Sequence, residues 1–479
     1  MDWLNWALVT LHTCAGFATA GHALLHKRDP RAALGWIAVC LTFPFAGPLL
    51  YFLFGINRVR TRARELNQRS RFGLHAGYEP IEDTIAPSLG QLPIPSHFRE
   101  LTRVSGAVTE RPLTWGNQIE PLHNGEQTYP AMLEAIEGAQ QRLFLSSYIF
   151  ETNNTGQQFI HALARAAQRE VDVRVIVDGI GEWYSLPRAS TLLKDQGLRV
   201  ARFLPPSLLP PSLHINLRNH RKILVADGCI GFAGGINIGD RHLAERQDNT
   251  SRVVDMHFRL TGPIVAEIEQ VFLSDWSFVT GEPPAPLSQS IYNIIGANAI
   301  CRTIVDGPNE DLGKLATILV GAIALARRKI SIMTPYFLPF QALIAALQAA
   351  ALRGVEVIII LPAQSNLPYV HWATRNMLWQ LLRWDVQIYY QPPPFAHTKL
   401  FLVDEHYVQI GSANLDPRSL RLNFELAIEV YDKSLSQSLA AYMDTIRKRS
   451  QAITLEDLDN RPLWIQARDA LAWLFSPYL

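Results

Sequence analysis

One short pattern occurs twice in this chain of 479 residues, and its repetition dictates the architecture. His220-Arg-Lys222-Ile-Leu-Val-Ala-Asp227 is followed by Gly234-Gly235-Ile-Asn237, and His397-Thr-Lys399-Leu-Phe-Leu-Val-Asp404 by Gly411-Ser412-Ala-Asn414. The spacing is the same in both: two residues from His to Lys, five more to Asp, seven more to Gly and three more to Asn. A matching order of elements precedes each copy. Residues 142–150 are β-rich, 157–169 helical in period and 171–177 β-rich again; 329–337, 341–352 and 355–361 repeat that order. Strands so continuously apolar are buried on both faces, and strand–helix–strand order predicts largely parallel pairing with right-handed crossovers. The chain therefore reads as α/β: two duplicated lobes, 111–280 and 291–450, packed face to face around one shared site. A Pro-rich linker at 281–290 joins them, and 451–479 forms a helical tail.

The first sixty residues are of a different kind. No formally charged residue occurs over 3–25 or over 32–55, and each run is long enough to cross a hydrocarbon core of about 30 Å as a helix. The polar connector at 26–31 is short enough to force a hairpin, so 1–60 is expected to be a two-helix membrane anchor. Pro44 and Pro48 would kink the second limb or make it partly re-entrant. Asp2 in place of a basic start, and a second apolar run directly after the first, favour a retained anchor over a cleaved signal. Arg58, Arg60, Arg62 and Arg64 in the 61–110 linker place the lobes on the cytoplasmic side, against the pull of Lys27, Arg28 and Arg31. A formal charge of +1 argues against nucleic acid as the partner. Four dispersed cysteines fit neither a disulfide nor a metal framework.

In a strand, residues two apart share a face, so each His would project beside its Lys. A phosphodiester needs that combination: a neutral nitrogen to attack phosphorus, and cations to hold the non-bridging oxygens as charge builds. Ser412, Asn237 and Asn414 could donate to the same oxygens, with the preceding glycines letting the backbone approach a ligand. Asp227 and Asp404 read either as braces of the strand ends that tie the lobes together or as turn residues. Nothing else stands at metal-ligand spacing, so no metal and no cofactor are expected; the lysines would supply the charge. The other histidines, His242 and His257 among them, read as surface or packing residues.

The doubled H-x-K-x4-D-x6-G-[GS]-x-N pattern resembles the phospholipase D superfamily. The start, with Pro30-Arg31, Trp36 and the run 45–55, is similar to that of bacterial cardiolipin synthases. So are Tyr148-Ile-Phe150, Asp178-Gly-Ile-Gly181, Asn414-Leu-Asp-Pro-Arg-Ser419, Leu422-Asn-Phe-Glu425 and Arg461-Pro-Leu-Trp464. The resemblance implies two duplicated phospholipase D-like α/β lobes packed pseudo-symmetrically behind a two-helix transmembrane hairpin. It also implies a catalytic set of His220, Lys222, Asp227, His397, Lys399 and Asp404, with His220 as nucleophile and His397 as acid and base. The residues alone leave those two roles interchangeable. Glu425 and Asp255 are the family-matched carboxylates for His397 and His220 respectively, although residues 246–254 depart from the family pattern ahead of Asp255. The implied activity is transfer of a phosphatidyl group between two phosphatidylglycerol molecules in the bacterial inner membrane, giving cardiolipin and glycerol. Phospholipid hydrolysis, or less readily nuclease action, is the alternative. The Pro-rich segments 204–213 and 391–395 suit a rim that dips toward lipid, or ordinary loops. The tail suits an interfacial helix or one packed on the second lobe.

Overall fold

The computed structural model describes residues 3–27, 30–43, 45–55, 93–208, 211–212, 217–283, 287, 298–307 and 313–476. The arginine run at 58–64, most of the 281–290 linker and part of the 204–213 stretch lie outside the described residues. The chain divides into two compact units, Met1–Glu65 and Leu66–Leu479.

In the first unit a helix of 24 residues, Trp3–His26, lies against a shorter one, Pro30–Thr42. The contact uses small side chains: Ala20, Ala23 and Cys40 are buried with Tyr51, whose hydroxyl is 2.7 Å from His22 Nδ1. Large apolar side chains point outward instead, among them Leu11, Phe17, Leu25, Leu34 and Leu49. The small residues let the two backbones approach, and the bulky apolar side chains are left exposed. The two apolar runs are not equivalent. Residues 6–26 form a helix long and apolar enough to cross a membrane. The second run breaks after Thr42 and resumes as Ala46–Leu50 and a π turn, Tyr51–Gly55. The break falls around Pro44, which has no N–H to offer a helix. The hairpin is thus one continuous helix and one interrupted limb, as the two prolines of the second run lead one to expect.

The first lobe contributes β1 (Thr114–His123), β2 (Arg142–Ser147), β3 (Asp172–Asp178), β4 (Arg199–Phe203) and a minor pair, β5 (Ser207–Leu208) and β6 (Pro211–Ser212). Then come the hairpin β7 (Ile223–Ala226) and β8 (Ile230–Gly234), β9 (Val253–Val254) and β10 (Met256–Thr261). The second lobe contributes β11 (Ala299–Asp306), β12 (Lys329–Met333), β13 (Glu356–Pro362), β14 (Gln387–Gln391) and β15 (Phe395–Ala396). It ends with the hairpin β16 (Leu400–Val403) and β17 (Tyr407–Gly411), then β18 (Glu425–Tyr431) and β19 (Gln451–Ile453).

One sheet of fifteen strands runs through both lobes, in the order β4-β3-β2-β7-β8-β10-β1, then β11-β18-β17-β16-β12-β13-β14-β19. The two halves mirror one another about the β1–β11 seam, with β19 the sole extra strand of the described sheet. The duplication is therefore real, but two expectations change. The lobes join edge to edge through antiparallel pairing of β1 with β11, rather than face to face. Within this sheet parallel pairing is confined to β2/β3/β4 and β12/β13/β14, and the other neighbours are antiparallel. The reason is local. Each motif strand is half of a hairpin; the three-residue β7–β8 connection, 227–229, holds Asp227 and Gly228 at φ 52° and 67°, which suits a tight turn. Hydrophobic periodicity reports burial and says nothing of strand direction.

Each lobe keeps its own apolar core, around Phe159, Val175 and Leu224 in the first and Ile318, Ile359 and Tyr407 in the second. The segment expected as a 61–110 linker contains a helix, Phe98–Thr109, that belongs to the second core although it precedes the first lobe in sequence. Phe98 and Leu101 are fully buried there, and Ser105 Oγ donates to Glu429 Oε2 at 2.9 Å.

Candidate active site

β7 starts only at Ile223 and β16 at Leu400, so both His-x-Lys triplets lie just ahead of the motif strands, not within them. Their backbones pair with the opposite lobe. His220 N–H donates to the Phe424 carbonyl at 2.9 Å, and His397 N–H donates to the Val254 carbonyl at 2.7 Å. β15 runs parallel to β9, and Asn219 bridges to Phe424 in the same way. Phe424 precedes Glu425 and Val254 precedes Asp255, so each crossing delivers a carboxylate from one lobe to the imidazole of the other.

The distances bear out that exchange. His220 Nδ1 lies 3.1 and 3.2 Å from the two Glu425 oxygens, and His397 Nδ1 lies 2.7 Å from Asp255 Oδ2. The expected pairing, Asp255 with His220 and Glu425 with His397, is overturned. A carboxylate bonded to Nδ1 fixes the tautomer and leaves Nε2 as the free nitrogen. Burial alone would raise the Glu425 carboxyl, but His220, Lys222 and the Ser412 hydroxyl bring it below its ordinary value. Asp255 is raised by burial, with Lys399 acting against the rise.

Burial also lowers both imidazoles. Lys399, Lys222 and His220 push His397 further down, well below its usual value, while Glu425 works against the fall of His220. The crossed contacts of Glu425 with His220 and of Asp255 with His397 set the two motifs beside one another. Lys222 Nζ donates to the His220 carbonyl at 2.7 Å and lies 5.4 Å from the Tyr148 ring centroid; burial pushes it down to about 7. Lys399 Nζ donates to the His397 carbonyl and stands 2.9 Å from His397 Nδ1.

The remaining candidates separate into three groups. Ser412 Oγ donates to Glu425 Oε2 at 2.5 Å, so it braces a carboxylate and not a ligand. Gly235 serves a carboxylate too: a Cβ there would stand 2.4 Å from Asp255 Oδ1. Asn237 Oδ1 accepts from the Ile149 N–H at 3.1 Å, and Asn414 is buried with its Oδ1 lacking a hydrogen-bond partner among the described residues. Asp227 and Asp404 do not join the site. Asp227 accepts from the N–H groups of Gln140, Gln141 and Arg142, and Asp404 from those of Arg327, Arg328 and Lys329. Both sit at φ near 50° in the hairpin turns, so the brace and the turn residue are one and the same; each acts within its own lobe. Replacing Asp404 by Asn, which tolerates that φ, is expected to lower unfolding free energy by about 2 kcal/mol, the worth of its charge-assisted bonds. Chemical denaturation checks this, with kcat unchanged below the transition.

Sequence reasoning assigned no role to two aromatic side chains here. Tyr148 packs edge-on to His220 at 5.0 Å between centroids, and Tyr336 likewise to His397 at 6.3 Å. Their equivalent places, just after β2 and β12, were the available signal. His242 and His257 are buried, and burial pushes each down to about 3, so both stay neutral. His242 Nε2 accepts the Asn237 N–H at 3.3 Å.

Two lobes sharing a sheet, and lending each other a carboxylate to align a buried His–Lys pair, define the phospholipase D superfamily. A family profile described as cardiolipin synthase, PLD-like domain, matches residues 132–276 and 319–447, and one described as phospholipase D-nuclease N-terminal matches 16–55. The chain belongs to the cardiolipin synthase family. It is 31% identical to the cardiolipin synthase of Geobacillus sp. (strain WCH70), over 98% of this chain and 94% of that one. It is 29% identical to the major cardiolipin synthase ClsA of Bacillus subtilis (strain 168), over 95% of each. Among solved structures, the phosphatidylserine synthase of Haemophilus influenzae Rd KW20 shares the fold at a TM-score of 0.62. The match has 18% identity and covers 79% of this chain and 100% of that one.

Proposed function

We propose that the protein is a membrane-bound phosphatidyltransferase that makes cardiolipin and glycerol from two phosphatidylglycerol molecules through a phosphohistidine. The observation that carries this is the pair of imidazoles in one buried site, each aligned through Nδ1 by the opposite lobe's carboxylate. His220 Nε2 attacks phosphorus; the P–O bond to glycerol breaks, and His397, protonated at Nε2 once the anionic phosphodiester is bound, gives that proton to the departing alkoxide. His397 then takes the proton from a hydroxyl of the second phosphatidylglycerol, whose oxygen displaces His220. Glu425, kept ionised by its neighbours, stabilises the charged His220, which favours it as nucleophile. Lys222 and Lys399 hold the non-bridging oxygens, with the amide ends of Asn414 and Asn237 as further contacts. No cofactor enters this scheme. The apolar helix pair keeps the protein in the bacterial inner membrane, both limbs within the bilayer and the lobes on the cytoplasmic side.

Purified protein given phosphatidylglycerol labelled in the headgroup should release labelled glycerol and form cardiolipin in equal amounts. Phosphatidic acid as the sole phospholipid product would make it a hydrolase.

The depressed Lys222 sets a pH dependence. In the free enzyme its cation is lost as pH rises through about 7, so kcat/KM should fall above that pH. A bound phosphodiester favours the cation, so kcat should hold to higher pH. Stability moves the other way. Between about 7 and the ordinary 10.5 the unfolded lysine binds a proton that the folded one does not, so this group's contribution to stability rises with pH. Opposite trends in a kcat/KM profile and a denaturation series are the expected signature.

A further inference from the structure

The helix Leu463–Leu474 docks on the helix Pro368–Met377 with its polarity reversed. Its buried residue is Asp469, 0% exposed, held by Arg375 Nε at 2.6 Å, Arg461 Nη1 at 2.5 Å and Arg468 Nη2 at 2.9 Å. The outward face carries Leu463, Trp464, Leu471, Leu474 and Phe475, with Leu463 82% and Leu474 65% exposed. A helix facing water normally does the opposite. Here three guanidiniums fix the carboxylate inward, so the apolar stripe cannot turn to the core. A contiguous outward patch of this kind marks a contact surface.

We propose that this helix lies in the lipid interface as a second membrane contact, separate from the apolar helices of residues 3–55; the proposal rests on the lipid substrate read above. Three observations favour a bilayer as the occupant. Arg468 is sandwiched between the rings of Trp372 at 4.3 Å and Trp464 at 5.7 Å, an indole–cation edge suited to headgroups. Trp379, just beyond the underlying helix, is 47% exposed. The patch is also joined to the site: Tyr336, packed on His397, donates its hydroxyl to Asn366 Oδ1 at 2.7 Å, two residues before the underlying helix begins. From the first lobe Trp183, Tyr184 and Leu186 are likewise exposed. A lipid phosphodiester would thus enter beside surfaces that already bind its bilayer.

The test uses the full chain in vesicles of phosphatidylglycerol and phosphatidylcholine. In a Cys14→Ser, Cys229→Ser background, which removes the exposed thiols, an environment-sensitive fluorophore is attached at Leu474→Cys, or at Leu352→Cys as a water-facing reference. The label at 474 is expected to be quenched by brominated lipid and shielded several-fold from aqueous iodide, unlike the label at 352. Leu471→Glu with Leu474→Glu should raise the surface-dilution KM for phosphatidylglycerol by about tenfold, with kcat on a short-chain soluble donor unchanged. Equal iodide access at both labels overturns the proposal. So does shielding that grows with protein concentration in detergent and accompanies a dimer, which would make a second copy the occupant. The fluorescence arm needs no turnover, so it succeeds or fails independently of the reaction assigned to the site.

Discussion

With a phosphatidyl donor whose leaving group is p-nitrophenol, the His397→Gln protein is expected to release one equivalent of nitrophenol per site and then stop. The His220→Gln protein should release none. A nitrophenolate departs without a proton, so the general acid is dispensable in the first half-reaction, whereas the nucleophile is not. In the second half-reaction His397 must deprotonate the incoming hydroxyl, and its absence leaves the adduct stranded. Steady-state turnover should fall by about 10⁴ in His220→Gln and by about 10³ in His397→Gln. Stopped-flow absorbance measures the burst, and peptide mass analysis locates the phosphatidyl group on His220. A burst from His220→Gln, with the adduct on His397, would exchange the two roles while leaving the chemistry intact.

The division of labour between lobes explains what could be read from the sequence. Both copies of the His–Lys–Asp–Gly–Asn pattern were visible because duplication writes the same spacing twice, and two lobes about one seam follow from it. The flanking α/β order was visible for the same reason: residues 341–352 form the helix Gln341–Leu352, and 355–361 nearly coincide with β13. What remained hidden was long-range. The pairing of β1 with β11 joins residues 182 or more apart, and nothing local in either strand names its partner. The same holds for the carboxylates, since Asp255 and Glu425 each look nearest in sequence to the histidine of their own lobe. The helix Phe98–Thr109 was missed because it packs on a core formed mostly by residues about 200 or more positions downstream. Ser412 was misjudged for a subtler reason. A hydroxyl two residues before an asparagine near two cations suits a phosphate, but β17 and β18 pair so that its Oγ lies against Glu425 first.

That crossing of carboxylates predicts which variants will behave alike. Glu425→Gln is expected to resemble His220→Gln: a slow first half-reaction that an activated leaving group does not rescue, with a loss of about 10² to 10³. Asp255→Asn should resemble His397→Gln, with a near-normal nitrophenol burst followed by slow turnover. The physical basis is that each carboxylate bonds Nδ1 of one imidazole alone. Removing the negative charge at Glu425 leaves a buried His220 without the counter-charge its phosphoryl adduct needs, and burial already lowers that imidazole. Removing it at Asp255 leaves His397 to face Lys399 and Lys222 uncompensated, so it can no longer hold the proton it must shuttle. If the carboxylates served the histidines of their own lobes, the rescue pattern would invert, with Asp255→Asn refractory to the activated donor. Pre-steady-state kinetics of the four single variants, each with both leaving groups, therefore reads out the exchange between lobes directly.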